Sequence, residues 1–193
     1  MSLIPIKAGN RHFPVHQGVL QSRAKALASQ LSDRDVFPRP IHIDLDPSFV
    51  ELYHHLLYRR TLPVLQLDPE EALHQLTGLY VLGFKLDDVE TRDIAMQAIL
   101  AYCLKSNDIL PRAETLCLMY TAPPRCCGRD FCVDLLVYHA DTCWLLENLC
   151  VLPSELRRDL IIVYSIDFVR TPGLFVKRCN LTKYGGQVVQ DRR

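Results

Sequence analysis

Phe13-Pro14-Val15-His16-Gln17-Gly18-Val19-Leu20-Gln21-Ser22-Arg23 passes from a strand pattern into a helix pattern without a break, and it decides how the residues on either side are read. Upstream, Leu3 to Lys7 reads as a second strand. With His12 to Val15 it brackets Ala8-Gly9-Asn10, a turn cluster in which Gly and Asn tolerate positive φ, so a β-hairpin is expected. Downstream, Val19, Leu20, Ala24, Leu27, Ala28 and Leu31 recur at helical steps between Gln17 and Leu31, with Ser22-Arg23 as the joint of two short helices. Pro38 and Pro40 then isolate Ile41-His42-Ile43-Asp44-Leu45, whose apolar and polar side chains alternate as in a strand with one buried face.

Helices follow. Asp46-Pro47 sets a capping carboxylate before a proline at the first helical position, where the missing N–H costs nothing, and the helix is expected to run to about Tyr58. Phe49, Val50, Leu52 and Tyr53 stand at core spacing along it and read as core. Asp68-Pro69-Glu70-Glu71 repeats the device, with Glu71 placed as in a capping box, and launches a helix that Gly83 is expected to close in the left-handed conformation. Asp88 to Leu104 forms another, with Val89, Ile94, Ala95, Ala98, Ile99 and Tyr102 near one face. Beyond it the pattern is helical over Arg112 to Thr121, Arg129 to Leu149 and Ser154 to about Phe168, with Ala122-Pro123-Pro124 as a linker. From Thr171, Pro172-Gly173, Gly185-Gly186 and the basic residues Lys177, Arg178, Lys183, Arg192 and Arg193 read as a flexible tail. The expected organisation is therefore α+β over residues 1–105, an all-α extension over 106–170, and a tail over 171–193.

Composition narrows the function classes. Apolar residues at 49% against 23% charged residues describe a soluble globular chain, and 193 residues suffice for a core that needs no staples. Lys plus Arg is 22 and Asp plus Glu is 22, so no net field recruits nucleic acid or an anionic membrane, and neither is expected as a partner. Met1-Ser2-Leu3-Ile4-Pro5-Ile6-Lys7 lacks the basic and apolar blocks of a targeting signal, and no apolar run is long enough to span a bilayer. The expected location is cytoplasmic or nuclear, where the eight irregularly spaced cysteines are expected as free thiols.

Two chemistries compete with a purely structural role for the cysteines and histidines. Cys132, His139, Cys143 and Cys150 fall on one face of a continuous helix, and His139 with Cys143 has the spacing that chelates zinc. Residues eighteen apart on a helix are separated by roughly 27 Å, however, so the four cannot converge and a core stripe is the preferred reading. Nothing selects a Cys-His pair for nucleophilic catalysis, and the phosphate-loop, nucleophile-elbow and zinc-protease motifs are missing from the sequence. No catalytic residue, metal or cofactor is expected; a small metal-dependent or thiol enzyme is the alternative.

Three landmarks in fixed order resemble the BTB/POZ family: the Phe13–Arg23 stretch, Ile41–Leu45 with the helix ending Leu56-Leu57-Tyr58, and Leu79-Tyr80-Val81-Leu82-Gly83-Phe84-Lys85-Leu86. The likeness spans Phe13 to Leu104, and the helical remainder is similar in layout to the extension of fungal BTB proteins. It implies the BTB fold and a protein-protein interaction module, an oligomerisation scaffold or an adaptor for a cullin-based ubiquitin ligase. A transcription or chromatin cofactor would use the same surface. By position, the cullin-facing residues would be Leu31, Asp33, Tyr58 and Arg59, and self-association would use Val19 and Leu20 in the first helix. His16 matches the family's histidine, implied to be a buried, hydrogen-bonded ring. Three departures stand out: Asp33 replaces Glu, Arg59-Arg60 replaces Thr-Gly, and Ala24-Lys25-Ala26 replaces an aromatic pair. The chain begins directly at the first hairpin, so a monomer, a weak homodimer or a heterodimer with another BTB protein is expected in place of a strand-exchanged dimer.

Overall fold

The hairpin is built from β1 (Leu3–Ala8) and β2 (Arg11–His16), paired antiparallel with Ile4 opposite Val15 and Ile6 opposite Phe13. A computed structural model describes residues 3–24, 40–105 and 110–166 of the chain. Ile4, Ile6, Ala8, Phe13 and Val15 share the buried face, as strand alternation requires. Gly9 takes φ +55° in the turn while Asn10 keeps negative φ, so only the glycine uses the conformational freedom that both offer. The third strand, β3 (Ile41–Ile43), lies parallel to β1 against Ile6–Ala8 and makes the order β2-β1-β3. β3 stops short of Pro5, whose lack of an N–H therefore interrupts no ladder bond.

α1 (Gln17–Arg23) continues directly from β2, and Leu20 and Ala24 are buried beneath it. The expected second short helix, up to Leu31, lies outside the described residues. α2 (Pro47–Arg59) starts as its sequence predicts: the Asp46 carboxylate accepts from the Ser48 amide at 2.8 Å, with Pro47 in the first turn. The hydrogen bonds from Ser48 hold the Asp46 carboxyl below its ordinary pKa. Phe49, Val50, Leu52, Tyr53 and Leu56 are buried at helical spacing. A 3-10 turn, Pro63–Gln66, leads into α3 (Pro69–Leu86), where the Asp68 carboxylate accepts from the Glu70 amide and Glu71 accepts from Gln75 Nε2 instead of completing a capping box.

Every residue from Leu76 to Gly83 in α3 is buried, which makes it the central helix of this region. α2 can pack tightly against it because Gly78 has no side chain: a Cβ there would meet the Phe49 ring at 2.3 Å. Gly83 does not end the helix as expected. α3 passes through it to Leu86, and Asp87, at φ +52°, makes the left-handed cap. Gly83 serves close approach, since its Cβ would lie 2.7 Å from Arg92 Cγ on the next helix.

That next helix, α4 (Val89–Lys105), is separated from α3 by Asp87 and Asp88 alone. Asp88 is fully buried. Its carboxylate accepts from the Thr91 amide and hydroxyl, each at 2.9 Å, from the Tyr53 hydroxyl at 3.1 Å, and from Arg23 Nε at 3.3 Å. Arg23 also reaches Thr91 Oγ1 at 3.0 Å and Glu90 at 3.0 Å. Burial, followed by the Asp88 charge, pushes the Tyr53 phenol far above its ordinary pKa, so it remains a donor. Because the buried group at this corner is Asp88, Val89 is turned outward and is 44% exposed, against its expected place on the apolar face. Ala95 and Ile99 are buried as expected, and Met96 and Leu100 join them.

The chain divides into two compact units, Met1–Ala95 and Met96–Arg193, ahead of the boundary expected at residue 105; α4 runs from the first into the second. In the second unit α5 (Ala113–Met119) is followed by a tight corner, not a linker. Arg129, on α6 (Cys127–His139), donates through Nη2 to the Tyr120 and Ala122 carbonyls, and its guanidinium lies 4.6 Å from the Tyr120 ring centre. The Tyr120 hydroxyl donates to Asp159 at 3.1 Å on α8 (Ser154–Ile166), which packs on α6 and buries Leu156 and Leu160. Between them, α7 (Thr142–Asn148) buries none of its residues. The expected tail lies outside the described residues.

Asp88→Asn keeps the size of the side chain but leaves Arg23 facing an amide in a poorly hydrated corner. Urea denaturation is expected to show a loss of about 3 kcal/mol, the scale on which one partner of a buried pair is missed.

Candidate functional site

The two prolines opposite each other, Pro5 and Pro14, set the hydrogen-bonding parity of the hairpin. Neither has an N–H to give, so Pro5/Pro14 is a non-hydrogen-bonded pair, and by alternation so are Leu3/His16 and Lys7/His12. The backbone groups of His12, Pro14 and His16 consequently point away from β1, along the outer edge of the sheet. Such an edge is a template for pairing with another strand.

α2 closes part of it with side chains. The Tyr58 hydroxyl accepts from the His16 amide at 2.8 Å and lies 2.8 Å from His16 Nδ1, to which it donates in the tautomer that carries the ring proton on Nε2. His54 Nε2 lies 3.3 Å from the Pro14 carbonyl and donates to it. Arg11 pairs with Glu51 at 2.8 Å at the far end of the same seam, where both groups are half-exposed and the ion pair is worth little. The rings of His16, His54 and Tyr58 pack together, His54 and Tyr58 with centres 4.7 Å apart. Glu51, His54 and Tyr58 stand at i, i+3 and i+7, one stripe of the helix opposite the buried one. The sequence carried that stripe as spacing, but nothing in it said that a strand edge lay opposite.

The sequence-named residues separate on this surface. Tyr58 is 39% exposed, Arg59 is exposed and Val19 is half-buried, so all three have side-chain area at the surface. Leu20 is a correction: it is fully buried, because the face of α1 that carries it packs inward behind β2, and its side chain is core and not contact surface. Leu31 and Asp33 lie outside the described residues. His16 is hydrogen-bonded at the start of α1, as implied, but its ring is half-buried at the surface, not enclosed. Arg60, where the resemblance puts glycine, caps α2 in the left-handed conformation at φ +53°, a place that costs a side-chain-bearing residue energy.

The cysteine and histidine stripe is not formed. The helix breaks at Ala140, and the Asp141 carboxylate caps a new one by accepting from the Trp144 amide at 2.7 Å, so His139 and Cys143 belong to different helices. Of the four, only Cys132 is buried; Cys143 and Cys150 are exposed, so they form no core stripe either. Burial pushes the Cys132 thiol far above its ordinary pKa and keeps it protonated. Among the described residues, no three His, Cys, Asp or Glu side chains converge as metal ligands, and no helix is long and apolar enough to cross a membrane. No protein-family model, curated protein or solved structure matches the chain.

Two substitutions test the seam. Tyr58→Phe is expected to cost about 1 kcal/mol, the net worth of one hydrogen bond. Amide exchange at His16 should accelerate while the exchange of Ile4 and Val15, inside the ladder, stays unchanged. Arg60→Gly is expected to raise stability by about 0.5–1 kcal/mol in thermal or urea denaturation, as a residue strained at positive φ gives way to one that adopts it freely.

Proposed function

We propose that the chain is a protein-interaction module of the BTB/POZ type, without catalytic activity, acting as an adaptor in a cullin-based ubiquitin ligase or as a scaffold for assembly. One observation carries this reading. The three landmark stretches fall on β2 running into α1, on β3 followed by α2, and on the end of the central helix α3, in the order hairpin, helix, strand, helices that the family resemblance implies. Two of those landmarks are bonded to each other through Tyr58 and His16. The mixed α+β architecture supports the same reading.

The surface available to a partner is the end of α2, where Tyr58 and Arg59 are exposed beside the half-buried Val19 and His16. An aromatic and an arginine at the rim of a packed helix end are the residue types that anchor protein interfaces. Self-association is expected to be weak, since α2 already occupies two of the outward groups through which β2 would add a strand. The basic Arg59-Arg60 pair, in place of a neutral Thr-Gly, favours an acidic partner surface over a basic one.

Capture of the organism's own cullin by the purified chain tests the proposal. Wild type and Tyr58→Phe are expected to bind, whereas Tyr58→Ala and Leu31→Ala should each weaken binding more than about tenfold, as loss of an interface anchor does. No binding by wild type removes the cullin from the proposal, and binding indifferent to both alanine variants places the surface elsewhere. Light scattering at micromolar concentration should show monomer or a dimer that dissociates on dilution.

A further inference from the structure

The face of the sheet turned away from the core carries its charge in one line. Lys7 on β1 stands directly opposite His12 on β2 and beside His42 on β3, so three basic residues form a row across all three strands. Burial shows that the row faces outward: Ile6, Ala8, Phe13 and Ile43, on the other parity, are buried, whereas His12 and His42 are exposed and Lys7, in the middle strand, is half-buried. Neighbouring strands lie about 4.8 Å apart, so the row spans roughly 10 Å. We propose that this face is a docking surface for an acidic segment of a partner protein, with carboxylates over the row of His12, Lys7 and His42 and an apolar flank on Pro5, Pro14 and Leu3.

Charge carries the first half of the argument. Basic groups directly opposite one another weaken strand pairing, and Lys7 with His12 is a non-hydrogen-bonded pair, the kind that brings side chains closest. Among the described residues no carboxylate forms an ion pair with any of the three. Glu51 is engaged by Arg11, and Asp44, two residues past His42, lies beyond the end of β3. A carboxylate from outside the chain is the missing counter-charge.

The residues two positions along each strand favour a polypeptide as its carrier. Pro5 and Pro14 lie opposite each other next to the row, and Leu3, 50% exposed, follows. A free phosphate or a nucleic-acid backbone would meet the cations and leave this apolar strip uncovered, whereas an acidic segment with apolar side chains covers both. Carboxylates three or four residues apart on a helix are about 5–6 Å from each other, close to the strand spacing of the row. A second copy of the chain fits poorly, since a face of roughly 10 Å by 20 Å falls well short of the about 800 Å² that each partner gives to a stable complex. The row is also separate from the end of α2: His12 and His16 are four residues apart on β2, roughly 14 Å, so the inference does not rest on Tyr58 and Arg59 binding a partner.

Fluorescence anisotropy of a labelled peptide of Glu-Glu-Leu repeats, titrated with the full chain at low salt, tests the surface. Saturable binding is expected, weakened more than about tenfold by Lys7→Glu, which reverses the charge at the centre of the row. His12→Glu, on the exposed outer strand, is a second variant with the same expected direction, while Lys105→Glu, exposed on α4, makes the same charge change elsewhere and should leave binding unchanged. No saturable binding by wild type, binding undiminished in either row variant once urea denaturation has shown it folded, or an equal loss in Lys105→Glu overturns the proposal. Equal binding of a Gln-Gln-Leu peptide overturns it by removing charge from the recognition, and tighter binding of an oligothymidylate does so by making the partner a nucleic acid.

Discussion

A buried carboxylate is costly unless every one of its oxygens is satisfied, and Asp88 satisfies both by drawing donors from three helices. Thr91 comes from its own helix, Tyr53 from α2, and Arg23 from the last turn of α1, so elements distant in sequence are tied to the corner between α3 and α4. Ridge-and-groove packing alone would allow these helices to slide; a directional set of hydrogen bonds at one buried point does not. The two glycines of α3 complement it. Gly78 lets the Phe49 ring lie on the α3 backbone, and Gly83 lets α4 start close enough for Asp88 to be enclosed.

With α2 held there, its opposite stripe is presented to the edge of the sheet. The same helix thus contributes Phe49, Tyr53 and Leu56 to the core and Glu51, His54 and Tyr58 to the rim. Pro14 has no N–H to offer along the hairpin edge, and the helix takes two of the remaining outward groups. What stays open at the end of α2, at Tyr58 and Arg59, is side chain rather than backbone.

The second unit solves a similar problem with a cation. Arg129 is nearly buried, and its guanidinium binds the two carbonyls of the corner that follows α5 while stacking on Tyr120. Tyr120 in turn donates to Asp159 on α8, so one arginine and one tyrosine organise α5, α6 and α8. This is why Ala122-Pro123-Pro124, which has a linker's composition, forms a fixed corner: the donors that pin it come from a residue seven positions beyond Ala122.

Local chemistry was legible in the sequence wherever the partner groups are neighbours in the chain. The hairpin, the Asp46-Pro47 and Asp68-Pro69 helix starts and the alternation of β3 follow from capping geometry and side-chain periodicity, which need only a few consecutive residues. Tertiary structure decided the rest. It made Gly83 a contact rather than a stop, turned Val89 outward in favour of a buried Asp88, buried Leu20, and split the helix that would have aligned His139 with Cys143. It also set Tyr58 against His16, a pairing across 42 positions. Periodicity states that a helix has two faces, but only the packing of distant elements decides which polar side chain is enclosed and which faces a strand edge, because that choice is made by donors and acceptors the local sequence does not contain.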